Sequence, residues 1–146
     1  MKNLQLPILF FLLFGFQSCY QDADDKSECE IPCSLNFVTI SVLITDQDGN
    51  PVALDSFVVT KVATGEDITV DPIEYDLELI RENGSYPIIN DNYLGPREEF
   101  EVNFKGYIGD QVVVEENYMV GKDCCHVYYV SGDLEVEITL NEETAL

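Results

Sequence analysis

The sequence predicts an all-β protein, a single antiparallel β-sandwich of about seven to eight strands. Three observations carry that prediction. Short runs rich in Val, Ile, Thr, Phe and Tyr alternate apolar with polar residues, the two-residue period of a half-buried strand. Clusters of Asp, Asn, Gly and Ser punctuate them at intervals of roughly 8–12 residues, as in sandwiches. No stretch carries a convincing helical period.

The chain opens on Met1 to Cys19, MKNLQLPILFFLLFGFQSC. Lys2 precedes an apolar run from Leu4 to Phe16, the charged and hydrophobic regions of a secretory signal. The run is shorter than the roughly 20 apolar residues that span a bilayer. Phe16-Gln17-Ser18-Cys19 resembles a bacterial lipobox. The resemblance implies a signal peptide over residues 1–18 and a mature chain anchored through lipid, palmitate among it, on Cys19. Acyl chains contribute about 0.8 kcal/mol per buried methylene, so several of them on one cysteine hold a protein on a membrane stably.

Tyr20 to Glu28 has no apolar periodicity and a strong acidic bias, so residues 19–35 are expected to form a flexible tether. The acidic run also resembles the export signal behind the lipidated cysteine of Bacteroidota-type lipoproteins. That implies the outer membrane, with the domain exposed at the cell surface; a plain spacer would leave it facing the periplasm.

The rest, residues 36–146, is of a size for one domain with its own core. The whole chain has seven basic and 28 acidic side chains, a formal net charge of −21. Loss of Lys2 with the leader makes the mature chain one unit more negative. Such a surface does not neutralise phosphate, which excludes nucleic acid and anionic headgroups as partners. Divalent cations or a cationic envelope protein remain compatible with it.

Phe37 to Thr45 places Val38, Ile40, Val42 and Ile44 on one face of a first strand. Asp46-Gln47-Asp48-Gly49-Asn50-Pro51 follows as a turn. Its Gly49 stands fourth rather than sixth, which disfavours a calcium loop of EF-hand type. Ser56 to Val62 is a second strand. Ile73 to Asn83 fits a helix through Ile73, Leu77 and Ile80, or a strand through Tyr75, Leu77 and Leu79; the strand is preferred. Ser85 to Ile89 contains Pro87, which predicts an edge strand, and Asn90 to Arg97 is a polar loop.

Phe100, Val102 and Phe104 mark the next strand, with a turn expected from Gly106 to Asp110. Gln111 to Val120 carries Val112 and Val114 and ends at a turn over Gly121-Lys122-Asp123. Cys124 to Val130 and the alternation Leu134, Val136, Ile138, Leu140 complete the series, joined through Ser131-Gly132-Asp133.

Besides Cys19 there are four cysteines: Cys29, Cys33, Cys124 and Cys125. Beyond the inner membrane the compartment permits disulfides. Adjacent residues of a strand point to opposite faces, so cross-links from Cys29 and Cys33 to the vicinal pair are favoured over a Cys124–Cys125 bond. Each closes a loop of roughly 90 residues, worth about 4 kcal/mol in the chain-entropy model. The rival reading is a zinc or copper site, or thiol redox chemistry, drawing on Cys29, Cys33, Cys124, Cys125 and His126, with Cys124, Cys125 and His126 as its centre.

Two stretches carry a family resemblance. Val42-Leu43-Ile44-Thr45-Asp46-Gln47-Asp48-Gly49-Asn50-Pro51-Val52, with Thr64-Gly65 after the next strand, resembles the opening of carboxypeptidase regulatory-like domains, which are transthyretin-like sandwiches within the wider Ig-like architecture. Lys122-Asp123-Cys124-Cys125-His126-Val127, with Val130-Ser131-Gly132, is similar to the ending of small Bacteroidota lipoproteins with that domain. The resemblance implies a non-catalytic module of structural, accessory or protein-interaction type.

His126 is the single histidine, so any Ser-His-Asp triad must use it, and no nucleophile-elbow or zincin motif accompanies it. No enzyme, cofactor or small-molecule substrate is therefore expected. Tyr86, Tyr93, Tyr107, Tyr118 and Tyr128 are either half-buried sheet residues or a sugar-stacking face, the former being commoner.

Overall fold

The computed structural model describes residues 32–70 and 77–140. The signal peptide, Cys19, Cys29 and the first part of the ambiguous 73–83 stretch lie outside the described residues.

Seven strands and one short helix make up the described chain: β1 (Thr39–Asp46), β2 (Ser56–Lys61), α1 (Leu77–Asn83), β3 (Ser85–Asn90), β4 (Glu99–Ile108), β5 (Gln111–Lys122), β6 (Val127–Ser131) and β7 (Glu135–Ile138). They form two sheets, ordered β3-β1-β7 and β2-β4-β5-β6. β1 alternates as expected, burying Ile40, Val42 and Ile44. β3, which carries Pro87, is an edge strand, where a missing backbone donor does least harm.

Between the sheets lie Val42, Ile44, Val59, Ile88, Val102, Phe104 and Val120, all fully buried. Phe57 stacks on Phe104 at 5.7 Å between centroids and meets Tyr86 edge-on at 5.6 Å. The Tyr86 hydroxyl donates to Val52 O at 2.7 Å and accepts from Leu54 N at 2.6 Å. It thereby satisfies the backbone of a connecting segment whose polar groups sheet pairing does not reach.

The structure corrects several expectations. The sandwich is not wholly antiparallel, because β7 pairs with β1 in parallel, from Leu43↔Glu135 to Asp46↔Ile138. The link from β6 to β7 changes sheets, and β7 comes alongside β1 running the same way.

Leu77–Asn83 is helical rather than extended. Only Ile80 of this helix is buried, while Leu77 and Leu79 are exposed, so their alternation marks no inner face. Asn83 Nδ2 donates to Leu79 O at 2.9 Å and Arg81 donates to Leu54 O and Asp55 O, which fastens the helix to the β1–β2 connection. Gly84 ends it with φ +63°, and a Cβ there would stand 2.6 Å from Ile44 O. Glycine alone accommodates both demands.

Gly106 and Gly121 lie inside strands rather than in turns. A Cβ on Gly106 would press on Leu54 and Val114, and one on Gly121 on the Tyr128 ring, so both glycines make room for neighbours. A register shift beside Gly106 pairs Tyr107 with Val112, leaving Val112 exposed while Val114 is buried.

The tyrosines do not assemble into a sugar platform: Tyr86 and Tyr118 belong to the core. Asp46 closes the β1 turn on itself, its Oδ1 accepting from Asp48 N at 2.9 Å and Asn50 N at 2.8 Å. The Asn50 side-chain amide also donates to the carboxylate, and it contributes most, ahead of the backbone bonds, to holding the Asp46 carboxyl below the usual range.

Candidate functional site

The residues that carry chemistry gather at one end of the sandwich, where β1 begins, β3 ends and β5 passes to β6. Here Cys33 and Cys125 form a disulfide, with Cα atoms 5.2 Å apart and a sequence separation of 92. It is one of the cross-links expected from the vicinal geometry. Cys124 is also disulfide-bonded, and its Sγ accepts from Arg97 Nη1 at 3.1 Å. Cys29 lies outside the described residues.

Cys124 and Cys125 are not in β6 but in a tight turn that precedes it. Asp123 builds the turn: its Oδ1 accepts from Cys125 N at 2.7 Å and His126 N at 2.8 Å, and its own N–H donates to His126 O at 3.0 Å. The two backbone bonds, led by that from His126, lower the Asp123 carboxyl. The fold of the turn separates the vicinal cysteines and turns His126 toward the β3–β4 loop.

On that loop Asp91 accepts three hydrogen bonds, each 2.8 Å: from Val38 N and His126 Nδ1 on Oδ2, and from Val127 N on Oδ1. Burial pushes its carboxyl up, but the bonds from His126, Val38 and Val127 outweigh burial and hold it below the ordinary value. The loop is itself braced. Lys122 Nζ donates to Tyr93 O, while Lys61 and Lys122 stand 5.0 Å and 5.6 Å from the centre of the Tyr93 ring. Such cation–π contacts contribute of order 0.5–1 kcal/mol when exposed.

The second imidazole nitrogen, Nε2, lies 2.8 Å from Ser34 Oγ. A tautomer follows from the Asp91 side. An ionised carboxylate only accepts, so in neutral His126 the proton sits on Nδ1 and Nε2 presents its lone pair. The Ser34 hydroxyl therefore donates to Nε2. The result is an ordered relay, Ser34 Oγ–H to His126 Nε2 and His126 Nδ1–H to Asp91 Oδ2. His126 and Asp91 are largely covered, with side-chain exposures of 23% and 11%, whereas Ser34 is exposed.

The sequence pointed to Cys33, Cys125 and His126 but not to Ser34 or Asp91. Asp91 was one acid of 28 in a polar loop, and Ser34 fell within the expected tether. The available signals were the singularity of His126 and the position of Ser34 next to a cysteine that had to meet residue 124 or 125. As for a metal, among the described residues no group of three or more His, Cys, Asp or Glu is placed to hold one. With Cys125 bonded to Cys33 and both imidazole nitrogens engaged, a ligand set of Cys124, Cys125 and His126 would require reduction and rearrangement.

Beyond the 90–95 loop, Glu66, Thr69, Asn90, Asn92, Tyr93 and Leu94 help line an open cavity of about 450 Å³. Asp91 faces away from it, into the relay. Comparison with known proteins finds no significant match to a family model, a curated protein or a solved structure.

Proposed function

We propose that this chain is an envelope protein held on the outer membrane by lipid on Cys19, whose sandwich acts as a structural or interaction module at the cell surface. The observation that carries the reading is the Cys33–Cys125 disulfide. A bond of this kind persists in an oxidising compartment, in keeping with the secretory character of Met1 to Cys19. It also supports a tether that departs from the end of the domain carrying Asp91 and His126, where Cys33 is bonded.

Exposed apolar side chains at this end support an interaction role: Leu35 and Leu94 are 104% and 95% exposed, and Phe37 is also exposed. The transthyretin-like form of the sandwich belongs to the same proposal, resting on the Asp46–Val52 turn motif and on two sheets of three and four strands.

The test is metabolic labelling of the full chain with a palmitate analogue in a bacterial host, paired with protease treatment of intact cells. Label that disappears in Cys19→Ala, together with cleavage in intact cells, is the expected result. Unlabelled, soluble protein would overturn the anchor, and labelled protein that resists protease until the envelope is opened would move the domain to the periplasmic face.

A further inference from the structure

The Ser34–His126–Asp91 relay has the order and atom choice of an acyl-transfer site, and Ser34 has no part in the contacts by which Asp91 joins the sheets. We propose that Ser34 is a nucleophile, with His126 as its general base and Asp91 as the residue that positions the imidazole, acting on short-chain esters that carry a good leaving group.

Three features support this. The hydroxyl donates to Nε2 at 2.8 Å, within the reach a general base needs. Asp91 fixes the imidazole through Nδ1 and is itself held by two backbone N–H groups, so the orienting group is rigid. Ser34 is exposed, and so are the apolar side chains of Leu35 and Phe37, which follow it closely in sequence and offer an acyl chain an apolar surface. The Cys33–Cys125 bond holds the residue before the nucleophile against the residue before the base.

In the reaction, Ser34 Oγ bonds to the ester carbonyl carbon as its proton passes to His126 Nε2, and the carbonyl π pair moves onto oxygen. Collapse re-forms the carbonyl and breaks the bond to the leaving oxygen, which takes the proton from Nε2. Water then attacks the acyl carbonyl as its proton passes to His126 Nε2, and collapse breaks the bond to Ser34 Oγ, which takes that proton back, and releases the carboxylic acid. The leaving-group requirement comes from the same turn. The N–H groups of Cys125 and His126 already donate to Asp123, so neither serves a developing oxyanion. Each such donor is worth roughly 10²–10³-fold in rate, so reactive esters are favoured over amides.

The experiment exposes the oxidised full-length protein in mild detergent to a fluorophosphonate and to p-nitrophenyl acetate, and maps adducts by peptide mass after reduction. The expected result is an adduct on Ser34 that is absent in Ser34→Ala and forms at least about 100-fold more slowly in His126→Gln, the lower end of general-base effects. Asp91→Asn is expected to slow labelling and to change its pH dependence, which loss of a merely structural contact would not do. Protein that retains the Cys33–Cys125 bond yet gives no Ser34 adduct, or that is labelled equally fast in His126→Gln, overturns the proposal.

Discussion

Asp91 and His126 lie 35 residues apart in the chain and are joined by an Nδ1–H···Oδ2 hydrogen bond of 2.8 Å. The same carboxylate ties down Val38, just before β1, and Val127 at the start of β6. One side chain thus links the two sheets and the turn that carries the cysteines. Asp91→Ala leaves two part-buried backbone donors and an imidazole without their acceptor. The expected cost is about 3 kcal/mol, from roughly 1–3 kcal/mol per orphaned group and partial rehydration. Urea unfolding of the oxidised protein measures it, and a loss below about 1 kcal/mol would show that Asp91 does not join the sheets.

Acid should weaken the fold in a defined window. Asp46, Asp67, Asp91 and Asp123 all have carboxyls lowered in the folded state, each through hydrogen bonds that it accepts. A group whose folded pKa is depressed contributes stability above its unfolded value and loses it as pH falls through the folded one. The urea midpoint should therefore hold from neutrality down to about pH 4, the unfolded carboxyl range, and fall below it. Asp91→Asn should reduce that slope. Asp123 and His126 also face Asp91, so Asp123→Asn is the companion control.

Two buried tyrosines should respond oppositely to loss of their hydroxyls. Tyr86 bridges Val52 O and Leu54 N, so Tyr86→Phe leaves both without a partner and should cost about 2 kcal/mol. The Tyr118 hydroxyl is buried and has no hydrogen-bond partner among the described residues. Burial accordingly pushes its ionisation far upward. Tyr118→Phe should be neutral or stabilising by up to about 1 kcal/mol, and a large loss there would indicate a bound water or other partner. Thermal melts of the two variants side by side decide.

Breaking the cross-link should be felt mainly through the unfolded chain. Cys33→Ser with Cys125→Ser opens a cross-link of sequence separation 92. An isolated loop of that size is worth about 4 kcal/mol in the chain-entropy model, but the adjacent Cys124 stays disulfide-bonded and still restrains the unfolded chain, so the expected cost is smaller, about 2 kcal/mol. Denaturant midpoints of the double variant and the oxidised parent give the difference. An unchanged midpoint would mean that the unfolded chain is no freer without the bond.

Gly84→Ala combines a left-handed backbone with a backbone clash at Ile44 O. A loss of about 2–4 kcal/mol is expected from strain added to a forced shift of β1. The same change at Gly65, with φ +71° and open space around it, should cost only about 1 kcal/mol.

What was legible in the sequence follows from the range of the forces involved. The alternation of Val38, Ile40, Val42 and Ile44, and the edge position of Pro87, are local consequences of a two-residue period and a missing donor. Both appear as read. Leu77–Asn83 was misread because its short apolar spacing fits either period. What decides it is distant, namely the Arg81 bonds to Leu54 O and Asp55 O and the approach of Gly84 to Ile44. The parallel β1–β7 pair depends on where the chain changes sheets, which no local pattern encodes. At the candidate site, the cysteines announce themselves by type. Ser34 and Asp91 acquire meaning only from the fold, which brings residues 34, 91 and 126 within hydrogen-bond reach.

The pairing of β1 with β7 sets an order of events. A chain that emerges N-terminus first presents β1 long before the partner on one of its sides exists. The three-stranded sheet is incomplete until residue 138 has appeared, and the Cys33–Cys125 bond must wait until residue 125 is available. Contacts so far apart make for slow, late assembly. The three-stranded sheet and the cross-link therefore close only when almost all of the chain has arrived.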